Sequence, residues 1–127
     1  MATWANKYLF LVIMGVVTFL APIQGSLLFV GLISIADFIT GIMKAQKAGN
    51  VSSRKMINKA YAAAGYFIAI LVAHGVEVYV GDVVPIVKAV VSIIALTEIQ
   101  SVRENIKEMT GTDVLSPLIK MLQRKED

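Results

Sequence analysis

From Tyr8 to Ala36 the sequence holds no charged side chain. As one helix this stretch would be about 43 Å long at about 1.5 Å per residue. The hydrocarbon core of a bilayer is only about 30 Å thick. A chain with such a segment must either tilt one helix strongly or turn in the middle. Pro22, Gln24, Gly25 and Ser26 gather at its centre. Proline lacks a backbone donor and glycine tolerates positive φ, so these residues are the turn formers of the region. The spacing predicts a hairpin of two spans, Trp4–Ala21 and Ser26–Met43, with Trp4 and Tyr8 suited to the membrane interface. A single tilted helix is the alternative. Lys7 ahead of the first apolar run imitates a signal peptide. The apolar segment that follows directly predicts a retained span instead.

Two further stretches repeat the pattern. Ala60–Val76 carries no charged residue, and Val83–Thr97 carries only Lys88. Across the chain 57% of residues are hydrophobic and 17% charged, with a mean hydropathy of +0.72. Soluble domains run at about 25% charged, and a chain of 127 residues has too much surface to hide so many apolar side chains. A soluble helix needs a polar stripe every three to four residues, yet Ala60–Val76 offers only Tyr61, Tyr66 and His74. The expected class is an all-α integral membrane protein with about four short transmembrane helices.

The segment between the second and third spans is basic. Lys44, Lys47, Arg54, Lys55 and Lys59 occur there without any acidic residue. The loop after the third span holds Glu77 and Asp82 and no base. Lys and Arg favour the cytoplasmic side, so the Lys44–Lys59 loop is the topology determinant. With four spans both termini are cytoplasmic, in the bacterial inner membrane. Ser52 or Ser53 is placed to cap the helix leading into a third span, Ala60–Val78. The fourth span begins near Val83, with Pro85 in its first turn. Helix continues past Thr97 as a polar extension until Gly111, a plausible C-terminal cap. Ser116-Pro117 then starts a short cytoplasmic amphipathic helix, with Leu118, Ile119, Met121 and Leu122 on its apolar face and Lys120, Arg124 and Lys125 on its basic one. The expected division is a membrane domain over 1–109 and a tail or surface helix over 110–127.

Several residues stand out against this background. Gly65, Ala69 and Ala73 recur every four residues, a spacing that lets helix backbones approach closely in lipid. They are the candidate packing and oligomerisation face; abundant alanine is the plainer account. Asp37 lies within the second span, where an ionisable group is costly and turns toward protein or water. It is either a pore-lining or helix-pairing residue, with Arg54, Lys55 and Lys59 as candidate partners, or a capping residue near the headgroups. Lys88 is long enough to snorkel to the outer interface. His74 and Glu77, one turn apart, are a candidate for pH sensing or weak metal binding. Glu98, Arg103, Glu104 and Asn105 read, on physical grounds alone, as a solvated charge-mixed helix.

The chemistry excluded is broad. There is no cysteine and only one histidine, so thiolate catalysis and a metal centre are not expected. No phosphate-binding glycine loop, nucleophile–histidine pair or suitably spaced carboxylate pair is present. The chain is expected to be no enzyme and to need no cofactor. Its net charge of +3 arises beside apolar spans and points to lipid, not nucleic acid.

The order of short motifs carries a resemblance. Asp37-Phe38-Ile39-Thr40-Gly41, then Ala45, Lys47, Gly49 and Ser52-Ser53-Arg54-Lys55, resembles the signature of a bacteriophage holin family that includes holin-like proteins of clostridial toxin loci. Glu98 with Ser101, then Glu104-Asn105 ending near Gly111, is similar to that family's glutamate–asparagine segment. The resemblance covers about residues 27–112. It implies a homo-oligomeric pore or lesion in the cytoplasmic membrane that releases a peptidoglycan hydrolase or a secreted toxin. Asp37 and Gly41 would then serve assembly or triggering, and Glu104 and Asn105 belong to the same motif set. The tail departs from the pattern: it closes on Glu126 and Asp127, where such tails are often strongly basic. Two other readings fit the residues: a non-lytic anchor or scaffold subunit of a secretion or injection apparatus, and a small-solute channel subunit.

Overall fold

The computed structural model describes residues 2–125, so Glu126 and Asp127 lie outside the described residues. Helix α1 spans Ala2–Leu20 and passes through a 3-10 turn, Ala21–Ile23, into α2, Gln24–Ala48. Helices α3 (Ser53–Tyr79), α4 (Ile86–Thr110) and α5 (Ser116–Arg124) follow. The protein is an all-α membrane protein. Two helical runs, Thr3–Ala48 and Ser53–Tyr79, are long and apolar enough to cross a bilayer.

The hairpin expected at Pro22–Ser26 is not formed. Leu20 and Gln24 keep right-handed helical dihedrals, and Ile23, at φ −109° and ψ 9°, only bends the chain. Gly25 does not adopt positive φ. Pro22 sits in the 3-10 turn, where its missing N–H is tolerated, so the chain deflects without reversing. Helix α1 does not pack back along α2. At about 1.5 Å per residue the run Thr3–Ala48 is about 69 Å long, more than twice the hydrocarbon thickness.

The other boundaries follow local chemistry. Gly49 at φ 70° and Gly111 at φ 74° end α2 and α4 in the left-handed conformation that glycine adopts without strain. Ser52 caps α3, its hydroxyl accepting from the Lys55 N–H at 3.4 Å. Pro85 immediately precedes α4. The N-terminus of α4 is served from another helix: the Glu77 carboxylate accepts the Val87 N–H at 2.9 Å, placing negative charge where the helix dipole favours it. The polar extension beyond Thr97 is helical as expected.

Helices α2, α3 and α4 form the bundle, with α2 and α4 in the most extensive packing. Helices α2 and α4 run parallel and α3 runs antiparallel to both. The half of the bundle nearest the α3–α4 connection is apolar: Val30 and Ile70 are fully buried, with Ile23, Ala73, Val87 and Ile94 around them. In lipid, dispersion rather than water exclusion holds such a core together. Threonine hydroxyls within the helices bond back to the carbonyl four residues earlier, as Thr18 does to Met14 and Thr97 to Ile93.

A buried polar cluster across three helices

The half of the bundle nearest the α2–α3 connection is polar, and helical periodicity explains how. Asp37, Thr40, Gly41 and Lys44 share one face of α2 by steps of three and four. Glu98, Ser101, Asn105 and Glu108 share one face of α4 by the same rule. Because the two helices are parallel and in register, these faces meet level by level.

Asp37, 6% exposed, is the centre. Its Oδ1 accepts from Ser101 Oγ at 2.6 Å and from Asn105 Nδ2 at 3.1 Å. Its Oδ2 accepts from Lys59 Nζ of α3 at 2.7 Å. Asn105 also donates to Thr40 Oγ1 at 3.1 Å, and Thr40 donates to the Ala36 carbonyl. One turn outward, Tyr66 of α3 donates to Glu98 Oε1 at 2.8 Å. Glu98 and Asn105 are as buried as Asp37, at 7% and 4%. A carboxylate at this depth is tolerable only because donors fill its lone pairs.

Gly41 makes room for the lysine. A Cβ at this position would lie 3.2 Å from Lys59 Nζ and 3.5 Å from Lys59 Cε. The backbone of α2 therefore borders the path by which the ammonium reaches Asp37. A cleft of about 460 Å³, lined by Ser34, Asp37, Tyr66, Thr97, Glu98 and Ser101 among others, opens beside the cluster.

The other expected site residues divide. Lys44 pairs with Glu108 at 3.4 Å, and Lys47 donates to the Met109 carbonyl at the end of α4. These basic residues tie α2 to α4, while Arg54 and Lys55 stay exposed. Glu104 faces outward and accepts from Gln100 at 3.3 Å, so it is not in the cluster with its neighbour Asn105. Gly65 and Ala69 are exposed on the outer face of α3, whereas Ala73, 4% exposed, packs inside the core. Three residues four apart rotate by about 80° on a helix, which carries Ala73 off the outer face. The solvated reading of Glu98 and Asn105 fails, because both face α2 and α3.

Tyr66, Thr40 and Ser101 complete the cluster without having been singled out as site residues. The signal for Ser101 was present: Glu98, Ser101 and Asn105 recur at helical spacing inside an otherwise mixed segment. Tyr66 gave none, being one of three scattered polar side chains in an apolar run. His74 and Glu77 do not act as a pair. His74 is buried, and its Nε2 donates to the Phe19 carbonyl at 2.7 Å, beside the 3-10 turn. Glu77 caps α4. No group of three or more metal-ligating side chains occurs among the described residues.

Beyond the spans, Arg103 and Asp113 form a clasp, with Nη2 to Oδ2 at 2.8 Å and Nε to Oδ2 at 3.0 Å. The guanidinium holds the Asp113 carboxyl below the usual carboxylate range, and the carboxylate raises Arg103 in turn.

Compared with known proteins, the chain matches the model of the bacteriophage holin family over residues 9–126, nearly its whole length. No curated protein and no solved structure matches it.

Proposed function

We propose that this chain, which belongs to the bacteriophage holin family, assembles in the bacterial cytoplasmic membrane into a pore or lesion that releases a peptidoglycan hydrolase or a toxin and so brings about lysis. The family is not one of enzymes. The observation that carries the reading is the amount of apolar surface one copy leaves uncovered. Every α1 side chain from Thr3 to Thr18 is exposed, as are Ile68, Ala69 and Val72 on α3. Lipid covers such surface in a monomer. Helices of further copies cover it in an assembly, and small residues such as Gly65 and Ala69 favour close approach.

In this reading the Lys44–Lys59 loop is cytoplasmic. The C-terminal end of α4 is cytoplasmic with it, because α4 runs parallel to α2. A cytoplasmic N-terminus further requires α1 to fold back at Ala21–Ile23, a reversal that the helical dihedrals there do not make. The buried cluster then fixes how α2, α3 and α4 sit together before assembly, and this is the role we assign to Asp37, Gly41, Lys59 and Asn105.

The test is controlled expression in a bacterial host, with and without a cytoplasmic peptidoglycan hydrolase that lacks a signal sequence. Optical density and membrane potential are followed together. Abrupt loss of potential, with lysis only when the hydrolase is present, is expected. Normal growth with full-length protein in the membrane would overturn the proposal in favour of a scaffold. Ion flux without passage of the hydrolase would favour a small-solute channel.

A further inference from the structure

Helix α5 is not a free tail. Asp113 accepts from Arg103 of α4 and, through Oδ1, from the Ser116 N–H at 3.0 Å. One carboxylate thus both holds the turn to α4 and caps the first residue of α5. The turn sends α5 back alongside α4. A groove between them is walled by Leu96, Thr97, Ile99 and Gln100 on one side and by Ile119 and Gln123 on the other. Leu96 and Thr97 mark the cytoplasmic end of the apolar part of α4, so α5 returns to the level of the membrane boundary.

The orientation of α5 there is specific. Ile119 and Gln123 turn toward α4. Leu118, Met121 and Leu122 lie on another side and are 49%, 68% and 46% exposed. Lys120 and Arg124 lie roughly opposite the leucines, Lys125 follows, and no acidic residue lies between Ser116 and Lys125. Ile93 and Leu96 of α4 are themselves exposed and apolar. An exposed apolar face on a helix whose charged side chains from Ser116 to Lys125 are all cations matches an anionic bilayer surface in both polarity and charge.

We propose that α5 is an interfacial anchor: its Leu118–Met121–Leu122 face inserts into the cytoplasmic leaflet, and Lys120, Arg124 and Lys125 engage anionic lipid headgroups. The Arg103–Asp113 clasp sets the angle at which it docks. This inference rests on the membrane location of the bundle and not on lysis.

The absence of cysteine from the whole chain allows a clean test. Full-length Leu122→Cys, Leu118→Cys and Lys120→Cys variants are spin-labelled and reconstituted into phosphatidylcholine liposomes with or without phosphatidylglycerol. Collisions with oxygen, which partitions into lipid, are compared with collisions with a water-soluble nickel chelate. With phosphatidylglycerol, positions 122 and 118 should favour oxygen and position 120 the chelate. Omitting phosphatidylglycerol should erase the oxygen preference at both apolar positions. Chelate preference at 118 and 122 in both lipids overturns the anchor. Shielding of both positions from both reagents also overturns it and assigns the face to a second copy. Equal oxygen preference without phosphatidylglycerol overturns the role of the basic residues.

Discussion

Asn105 of α4 donates its side-chain amide to Asp37 of α2 at 3.1 Å across 68 residues of sequence, and to Thr40 on the next turn. That pair sets the register of two parallel helices. An aliphatic pair at this level would pack without choosing between registers one turn apart. An amide and a carboxylate in low dielectric must meet, because an unmatched polar group there is costly.

Asp37→Ala removes the acceptor of Asn105, Ser101 and Lys59 together. Asn105 then keeps only Thr40 as acceptor, and leaving its other buried N–H unmatched should cost about 1–3 kcal/mol. Thermal unfolding in detergent micelles should show a large drop for Asp37→Ala and a smaller one for Asn105→Ala. A double-mutant cycle should give a coupling of about 0.5–3 kcal/mol. Additive effects would mean that the two side chains do not interact.

Gly41→Ala brings a methyl group against the Lys59 ammonium, and Gly41→Leu occupies its path outright. Melting temperature should fall for Gly41→Leu, whereas in Gly41→Ala the crowding of the lysine tip offsets the helix propensity that alanine gains. The effect of Gly41→Ala should become more favourable in a Lys59→Ala background, because the group it crowds is gone. An unchanged effect would place the strain elsewhere.

Gly65→Leu and Ala69→Leu alter an exposed face and should shift chemically cross-linked ladders toward monomer with little change in monomer stability. Ala73→Leu should behave differently. Its side chain is inside the core, and overpacking there costs about 1–3 kcal/mol. Ladders unchanged by the first two substitutions would remove α3 from the assembly interface.

His74→Leu removes the donor to the Phe19 carbonyl where the 3-10 turn interrupts helical bonding. Amide hydrogen exchange should accelerate over Leu20–Gln24 and stay unchanged in α4. His74→Gln, which keeps a donor, should restore part of the protection.

The Arg103–Asp113 clasp has a defined pH response. Arg103 lowers the Asp113 carboxyl in the folded state, so the contribution is complete above the unfolded aspartate value of about 3.9 and is lost as pH falls through the lower folded value. Spin-label mobility on α5 should be flat across neutral pH and rise only in strong acid, whereas Asp113→Asn should show high mobility throughout.

The class of molecule is legible in the order of residues alone. The uncharged run Tyr8–Ala36 excludes a soluble fold. The helix end at Gly111 and the cap at Ser52 follow from local backbone chemistry, which needs no distant partner. Asp37 was legible as an anomaly, with Lys59 among its candidate partners, because charge at depth is costly wherever it occurs. The remainder depends on how the helices dock. Local signals at Pro22 and Gly25 permitted a reversal, but a turn former only allows a bend, and packing selects its angle. Glu98 and Asn105 read as solvated because periodicity reports that a polar face exists, not what lies opposite it. Only the parallel docking of α2 and α4, with α3 alongside, put Asp37, Thr40 and Lys59 there.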